Sequence, residues 1–318
     1  MKPPYEITPQ ILRMIASISE KLGEVNANYL NKVSPELRKQ NHIKTIHASL
    51  QLEGNTLSEE QITALIENKR VIGPEKEIME VQNAIEVYSI LSKFKPNSET
   101  AFLKAHKLLM RGLIKNPGKY RTKNVGIVKG SKLAHLAPPS GSVHALMKNL
   151  FKYLKHSEEL TLIKSCVFHY EVEFIHPFMD GNGRIGRLWQ TLILMDEYPV
   201  FEFLPFETLI SKTQKEYYNS LSLSDKSGTS TIFIEYILNV IHTSLQQLLN
   251  LKGRRLLTDL DRIQYYLQMN SGEFSRKDYM NVFKQISTAT ASRDLKKGIE
   301  LGSWIKQGEY NKAKYMIT

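Results

Sequence analysis

The sequence predicts a mainly α-helical protein that carries one small β-hairpin and ends in a helix-turn-helix followed by a second hairpin. Three observations support this fold class. Apolar residues recur at spacings of three and four through most of the 318-residue chain, which is the period of helices with one buried face. Before about residue 270, strand-like runs are confined to one stretch. Near the end of the chain, two short helical patterns precede a pair of apolar runs separated by glycine.

The helical spacing is clearest in four segments: PQILRMIASISEKLGEVNANYL, EKEIMEVQNAIEVYSILSKF, VHALMKNLFKYLKH and TIFIEYILNVIHTSLQQLLN. In RTKNVGIVKGSKLAHLAPPSG, by contrast, short β-branched runs are interrupted by Gly130 and closed by Pro-Pro-Ser-Gly. This pattern predicts a hairpin over residues 125–139 that projects from a helical body. The basic, glycine-containing joint NLKGRRLLTDL predicts a domain boundary between residues 250 and 260.

Composition limits the class of protein. Hydrophobic residues make up 42% of the chain and charged residues 24%, as in ordinary globular proteins. The net charge of +11 hints at an anionic partner. The single cysteine, Cys166, excludes an intrachain disulfide, and its apolar helical surroundings favour a buried thiol. No apolar run reaches the roughly 20 residues of a membrane span. We therefore expect a cytoplasmic protein with no membrane partner.

The stretch HPFMDGNGRIGR, residues 176–187, combines residue types that suit a phosphorylated ligand. Gly181 and Gly183 give the loop backbone freedom, so that successive N–H groups can converge on one anion. The residues from Arg184 onward have helical spacing, which places the loop at a helix N-terminus, where phosphate is favoured. Arg184 and Arg187 are three residues apart and can each grip phosphate oxygens.

Two further side chains in this stretch add chemistry. Asp180 offers a hard oxygen ligand of the kind that Mg²⁺ on a nucleotide recruits. His176 has an ordinary pKa near neutrality and can take a proton from an incoming hydroxyl. Taken singly, each of these residues is more often structural, but their combination within twelve positions predicts a phosphate site.

The same stretch resembles the signature of the Fic family, His-Pro-Phe-x-Asp/Glu-Gly-Asn-Gly-Arg-x-x-Arg, with every fixed position filled. The similarity extends from about residue 100 to 225. It implies a Fic-type helical bundle that transfers AMP from ATP to a Ser, Thr or Tyr hydroxyl of a protein and releases pyrophosphate. By this resemblance, the hairpin is the family's flap, which holds an extended segment of the target protein. A surface hairpin without function is the alternative.

The resemblance also assigns roles to residues. His176 would be the base that deprotonates the target, and Asp180 would hold Mg²⁺. Arg184 and Arg187 would hold the β and γ phosphates of ATP. The backbone that cradles the phosphates would belong to Gly181, Asn182 and Gly183.

The adenine would pack near two adjacent tyrosines. Tyr217 is the better candidate and Tyr218 is its neighbour, although a plain core pair is nearly as consistent with the sequence. Asp225 stands where some relatives carry Asn, which weakens any inference about nucleobase contacts there.

A second stretch, SLQLEGNTLS, places Ser49 and Glu53 one helical turn apart, with Gly54 and Asn55 ending the helix. A polar helix end is one interpretation. The stretch also resembles the family's inhibitory motif, Ser/Thr-x-x-x-Glu-Gly/Asn. That resemblance implies that Glu53 pairs with Arg187 in the place of the γ-phosphate, so that ATP binds only unproductively. In some relatives the same glutamate supports removal of AMP, and the sequence leaves the dominant direction open.

Near the end of the chain, ISTATASRDLKKGIELGSW resembles the recognition helix and turn of a winged helix-turn-helix. Arg293, Lys296 and Lys297 would supply phosphate or base contacts, and the turn at Gly302 with KQGEYNKAKYM would form the wing. DNA binding and a protein-docking or structural role both remain open.

The sequence therefore predicts three regions: an N-terminal helical region with the inhibitory helix (1–95), a Fic core (96–250) and a winged helix-turn-helix domain (255–318). The leading hypothesis is an autoinhibited protein adenylyltransferase that uses ATP and Mg²⁺, with the chain itself as one candidate target and a homodimer left open. The alternative is a DNA-binding regulator whose Fic site senses nucleotide. A third hypothesis keeps the enzyme but changes the transferred group.

Overall fold

A computed structural model describes residues 2–28, 35–129, 132–254, 258–270, 272–283, 286–308 and 313–317. The chain is mainly helical, which confirms the predicted fold class, and it divides into two compact units, Met1–Asn250 and Leu251–Thr318. Within the described residues, no helix is both long and apolar enough to cross a bilayer.

The first unit holds one hairpin and eleven of the described α-helices, the last of which continues to Arg254. Its helices are α1 (Pro9–Asn28), α2 (Pro35–Gln51), α3 (Glu59–Ile66), α4 (Glu75–Ser89), α5 (Glu99–Leu109), α6 (Val143–His156), α7 (Thr161–Ile175), α8 (Asn182–Glu197), α9 (Glu207–Lys212), α10 (Gln214–Ser227) and α11 (Thr231–Arg254). Its strands are β1 (Gly126–Lys129) and β2 (Lys132–Leu136), which pair antiparallel.

Helices α7 and α8 form the centre of the first unit. Side chains on every side of α7 are buried, Cys166 among them at 0% exposure, as expected for a helix that other elements surround. The loop between α7 and α8 carries the HPFMDGNGR stretch. Phe178 anchors this loop: it is fully buried and contacts the rings of Phe102 and His106. The motif loop thus connects two core helices and is fixed to the core by Phe178.

The hairpin lies where the sequence predicts it. Gly126 pairs with Leu136 and Lys129 with Lys132, and the register shifts between Ile127 and Val128. Gly130, which the sequence places at the interruption between the two runs, lies outside the described residues.

The second unit has the element order helix, strand, helix, helix, strand, strand. These are α12 (Asp259–Met269), β3 (Glu273–Ser275), α13 (Arg276–Val282), α14 (Thr288–Glu300), β4 (Trp304–Gln307) and β5 (Lys314–Ile317), with β5 between β3 and β4 in the sheet. An aromatic core packs around Trp304, which is 0% exposed. Gly298 in α14 is required by this packing, because a Cβ there would lie 2.1 Å from the Trp304 ring.

A buried ion pair joins α12 to α14 in the second unit. Arg262 donates from Nε to Asp294 Oδ2 at 2.6 Å and from Nη2 to Asp294 Oδ1 at 2.9 Å. Their side chains are 7% and 2% exposed. Bidentate pairing of this kind is the stronger form of an arginine–carboxylate ion pair.

Replacing Asp294 with asparagine is expected to destabilise the second unit by about 3 kcal/mol, because it removes the carboxylate charge that forms the bidentate ion pair with the buried Arg262. Urea unfolding followed by Trp304 fluorescence, in a Trp189→Phe background, measures the loss. The matched control is Lys297→Ala, which removes an exposed ion pair with Asp259 and is expected to change stability little. Equal effects of the two substitutions would contradict this prediction.

Candidate functional site

Most of the residues that the sequence predicts to be functional line one cavity of about 730 Å³. Its lining includes Glu53, His176, Asp180, Gly181, Asn182, Gly183, Arg187 and Tyr217. Ser49 and Arg184 do not line it. A smaller cavity of about 280 Å³ near Tyr88 contains none of the predicted residues. Size and chemistry therefore select the same cavity as the candidate active site.

The motif loop ends at a helix N-terminus that faces this cavity. Helix α7 closes on His176, whose φ of 50° lies in the left-handed region, and Gly181 with φ 85° caps α8. Helix α8 begins at Asn182, two residues before the start expected from the sequence. Its first-turn N–H groups have no partners within the helix and can bind an anion.

The two glycines of the motif act differently. Gly181 adopts a positive φ, and a Cβ there would lie 2.6 Å from Met110 Sδ. Gly183 has no positive φ, contrary to the backbone freedom expected at that position, because it lies in the first turn of α8. Instead, a Cβ at Gly183 would lie 2.5 Å from Glu53 Oε1 and 2.9 Å from Arg187 Nη1. The absence of a side chain at Gly183 therefore lets Glu53 and Arg187 lie close to the backbone of α8.

The side chain of Asn182 closes the loop on itself. Its Oδ1 accepts a hydrogen bond from the Phe178 N–H, and its Nδ2 donates to the Phe178 carbonyl, both at 2.9 Å. Asn182 is 2% exposed. Its side chain thus holds the loop shape, while its backbone belongs to the helix N-terminus predicted to bind phosphate.

Arg121, which sequence reasoning missed, fixes the backbone around His176. Its Nε donates to the His176 carbonyl at 2.7 Å, and its Nη2 donates to the carbonyls of Pro138 and Ile175 at 2.5 and 3.2 Å. Arg121 is 3% exposed. It stands just before the hairpin in GKYRTKNVG, and nothing in that local pattern shows that it reaches the motif.

His106 on α5 holds the other end of the loop and was also missed. Its Nδ1 accepts a hydrogen bond from the Gly118 N–H at 2.9 Å, so its Nε2 carries the proton and donates to the Asp180 carbonyl at 2.9 Å. Burial lowers the pKa of His106 to about 4.

His169, one of the buried side chains of α7, lies behind the cavity wall. Its Nδ1 donates to Gln190 Oε1 at 2.7 Å, and its Nε2 is 3.1 Å from the Tyr217 hydroxyl. Burial lowers the pKa of His169 to about 3. Both histidines, His106 and His169, are therefore neutral in the folded protein at neutral pH.

These two histidines predict an acid-sensitive fold. Their folded pKa values lie below the ordinary value of 6.5, so the unfolded chain binds more protons as the pH falls through 6.5, and stability decreases toward pH 4. Each contributes about 2 kcal/mol of loss by pH 5. Chemical unfolding at pH 7 and pH 5 should show a smaller loss in His169→Gln than in wild type. In the exposed control His156→Gln the loss should match wild type; an unchanged loss in His169→Gln would refute the assignment.

Arg184 is held away from the cavity. Its Nη1 is 3.2 Å from Glu80 Oε1 on α4, and its Nη2 donates to Asp180 Oδ1 at 2.8 Å. Glu80 also accepts a hydrogen bond from Asn55 Nδ2 at 3.0 Å. In this state Arg184 links the turn after α2 to the motif loop, and its predicted contact with phosphate stays a prediction.

Arg187 makes the contact predicted for the inhibitory motif. Its Nη2 donates to Glu53 Oε1 at 2.7 Å and to the Ser49 carbonyl at 2.9 Å, and its Nε is 3.2 Å from Ser49 Oγ. Its side chain is 1% exposed. Burial opposes the charged form, but the carboxylates of Glu53 and Glu207 outweigh it and raise the pKa of Arg187.

The local structure around Glu53 differs from the expected helix end. Helix α2 stops at Gln51, and Glu53 lies in the following turn, where Gly54 has a φ of 93°. The Asn55 N–H donates back to the Leu50 carbonyl at 3.2 Å. Ser49 therefore reaches Arg187 from the helix and Glu53 reaches it from the turn.

The two tyrosines occupy different environments. Tyr217 is 1% exposed, and its hydroxyl donates to Glu173 Oε1 at 3.1 Å, so most of its ring belongs to the core. Tyr218 is half-buried and also lines the cavity. Asp225 lines the same wall and accepts a hydrogen bond from the Tyr170 hydroxyl at 2.9 Å. Packing of adenine on Tyr217 stays a prediction, and Tyr218 is the more accessible ring.

The fold and site together define a helical protein in which a helix N-terminus faces a cavity beside a histidine and an ion-paired arginine. A model of the Fic/DOC family matches residues 96–194. The solved structure of a Fic family protein from Desulfovibrio desulfuricans G20 is 38% identical, with a TM-score of 0.78, over 100% of this chain and 98% of that one. The chain therefore belongs to the Fic family, which confirms the resemblance seen in the motif.

Curated relatives are more distant. The protein adenylyltransferase fic-1 of Caenorhabditis elegans is 27% identical over 74% of this chain and 46% of its own length. The protein adenylyltransferase Fic of Drosophila virilis is 26% identical over 73% of this chain and 48% of its own length. The chain thus spans about half the length of the curated relatives it matches. A solved fragment of the worm protein covers 76% of this chain with a TM-score of 0.65 at 23% identity, which supports the fold.

Proposed function

We propose that the protein is a protein adenylyltransferase that moves AMP from ATP to a hydroxyl of a protein, and that Glu53 restrains it. The single observation that carries the proposal is the contact of Glu53 with Arg187 inside the cavity that also holds His176 and the N-terminus of α8. The names of the curated relatives support the choice of AMP as the transferred group.

The proposed chemistry assigns His176 as the base. Its imidazole accepts the proton of the target hydroxyl, and the hydroxyl oxygen forms a bond to the α-phosphorus of ATP. The bond between that phosphorus and the bridging oxygen breaks, and pyrophosphate leaves with the electron pair. The N–H groups at the start of α8 and the guanidinium of Arg187 stabilise the charge on the phosphates.

Asp180 fits the role of a Mg²⁺ ligand. Its side chain is 47% exposed and lines the cavity. Its Oδ1 accepts hydrogen bonds from the Gly181 N–H and Arg184, whereas Oδ2 has no hydrogen bond within the part of the chain that the structure describes. No group of three potential metal-ligating side chains occurs among the described residues, and a single carboxylate suits Mg²⁺ that arrives on nucleotide phosphates. A bound Mg²⁺ would neutralise part of the phosphate charge.

The inhibition follows from competition for one guanidinium. Glu53 and a γ-phosphate are both anions that would pair with Arg187, and the Glu53 carboxylate already lies beside Gly183 at that guanidinium. While Glu53 holds Arg187, the triphosphate cannot take the position that aligns its α-phosphorus with the target. The same carboxylate beside bound phosphate also suits the reverse reaction, AMP removal, in which it would orient a water.

The target protein would approach along the hairpin. An extended segment could pair with the outer edge of β1 or β2, which form a two-stranded sheet, and so bring its hydroxyl toward His176. We include the chain itself among the candidate targets. Homodimer formation and a cytoplasmic location stay predictions.

Labelled donors test the reaction type. Incubation of the Glu53→Gly variant with α-labelled ATP should label protein, whereas γ-labelled ATP should leave it unlabelled. Label from the γ position alone would indicate kinase chemistry. Unlabelled CTP, GTP and UTP, added as competitors of labelled ATP, identify the preferred donor. If one of them binds better than ATP, the transferred group would be that nucleotide's monophosphate and not AMP. A pre-modified protein in place of the donor tests for removal.

A second candidate function belongs to the second unit, which we propose is a winged helix-turn-helix. Its element order supports this fold, and Arg293 and Lys296 are exposed on α14. If this helix binds DNA, mobility shift with random duplex should show an affinity that falls steeply with salt. Arg293→Ala and Lys296→Ala should weaken that binding, and AMP transfer should be unaffected. Absence of any shift at low salt would leave protein docking or a structural role for this unit.

A further inference from the structure

Glu207 is a fully buried carboxylate that no part of the predicted site includes. It is the first residue of α9 and is 0% exposed. Its Oε1 accepts a hydrogen bond from the Tyr88 hydroxyl at 3.0 Å. Its Oε2 is 3.7 Å from Arg187 Nε and has no hydrogen bond among the described residues. Burial of an acid in this way is costly unless a positive charge compensates it.

Arg187 therefore lies between two carboxylates. Glu53, 27% exposed, contacts Nη2 from the cavity side, and Glu207 faces Nε from the core side. Because the two acids address different nitrogens, either contact can exist without the other. Burial raises the pKa of Glu207, and the charge of Arg187 opposes that shift.

The proposed activation removes Glu53 from Arg187. A guanidinium whose side chain is 1% exposed cannot exchange a lost carboxylate for water at its core side. A counter-charge that stays in place would keep it ionised and oriented toward Gly183. Glu207, whose Oε2 is 3.7 Å from Arg187 Nε, is in a position to supply that charge.

We propose that Glu207 is the permanent counter-charge of Arg187, a positioning residue that holds the guanidinium at the cavity wall when Glu53 withdraws. This inference rests on the proposed function, because it takes Glu53 as the removable partner. The competing explanation gives Glu207 only a structural role, as an acid at the first turn of α9 that interacts with the helix dipole. The two explanations differ in whether Glu53 and Glu207 are coupled.

A double-mutant cycle measures the coupling. Thermal unfolding of the full chain is followed by calorimetry for wild type, Glu53→Gln, Glu207→Gln and the double variant. Each single variant leaves one carboxylate on Arg187, whereas the double variant leaves none. The loss of Tm in the double variant should exceed the sum of the single losses by at least about 4 °C. The control pair, Glu53→Gln with Glu99→Gln, should be additive, since Glu99 contacts Tyr120 and not Arg187.

Inorganic tripolyphosphate provides a second readout that a structural role would not change. It should raise the Tm of the double variant more than that of Glu53→Gln, because the guanidinium then carries its full charge toward the cavity. Additive Tm losses, or equal gains with tripolyphosphate, overturn the proposal. The double variant could fail to fold while both single variants fold. In that case, the proposal stands only if added tripolyphosphate restores a cooperative thermal unfolding transition to the double variant. No step measures AMP transfer, so an inactive protein would not affect the outcome.

Discussion

The Glu53→Gly variant is expected to transfer AMP on the order of 100-fold faster than wild type. The reason is that removing one member of a hydrogen-bonded charge pair is worth several kcal/mol when the partner it leaves is buried, and the Arg187 side chain is 1% exposed. Here the freed partner is Arg187, which becomes available to the phosphates of ATP. Initial rates of label transfer from α-labelled ATP measure the change.

Two matched variants separate charge from shape at this position. Glu53→Gln removes the charge but keeps the size of the side chain, so it should raise the rate nearly as far as glycine. Glu60→Gln removes an exposed carboxylate in the same region and should leave the rate at the wild-type level. A rate that is the same in wild type and Glu53→Gly would refute the inhibitory role.

The His176→Ala substitution, made in the Glu53→Gly background, is expected to lower the rate of transfer by roughly 10²- to 10⁴-fold. That is the usual contribution of a positioned general base. The loss should fall on the rate at saturating ATP. Binding of ATP should persist, because the proposed phosphate site consists of the backbone at the start of α8 and Arg187, and His176 is not part of it.

Controls for this prediction use the other histidines. His156→Ala alters an exposed histidine and should preserve the rate. His106→Ala should lower both rate and stability, because its ring holds the Asp180 carbonyl and packs on Phe178. A His176→Ala variant that loses ATP binding along with transfer would show that His176 shapes the site and would contradict its role as the base alone.

Local sequence was sufficient for the features that depend on residues close together in the chain. Helical spacing predicted the mainly helical fold, and the motif predicted a loop at a helix N-terminus. The motif could be read because its glycines, asparagine and arginines act within one loop and one helical turn. The contact of Glu53 with Arg187, which joins residues far apart in sequence, followed from the family resemblance and from no local pattern.

Local sequence was insufficient for the side chains that hold the site from a distance. Arg121 reaches the His176 carbonyl across 55 residues, and His106 reaches the Asp180 carbonyl across 74. Glu80 and Glu207 contact the two arginines of the motif from other helices. These residues look ordinary in their own surroundings. Their roles appear only when the tertiary fold brings them to the loop.

Helix ends were also read imperfectly. Helix α2 ends at Gln51, before Glu53, because Gly54 adopts a left-handed φ and the turn there is closed by backbone hydrogen bonds to Leu50 and Gln51. Helix α8 begins at Asn182 because Gly181 can act as its N-cap with a positive φ. Such ends depend on backbone conformations that helical periodicity does not report.

Intact-mass spectrometry of three proteins after incubation with ATP and Mg²⁺ shows whether this chain transfers AMP and whether Glu53 restrains the transfer. The proteins are wild type, Glu53→Gly and the double variant Glu53→Gly, His176→Ala. We expect that Glu53→Gly gains the mass of one or more AMP units, that wild type gains little, and that the double variant gains none. Equal gains in wild type and Glu53→Gly, or a gain in the double variant, would contradict it.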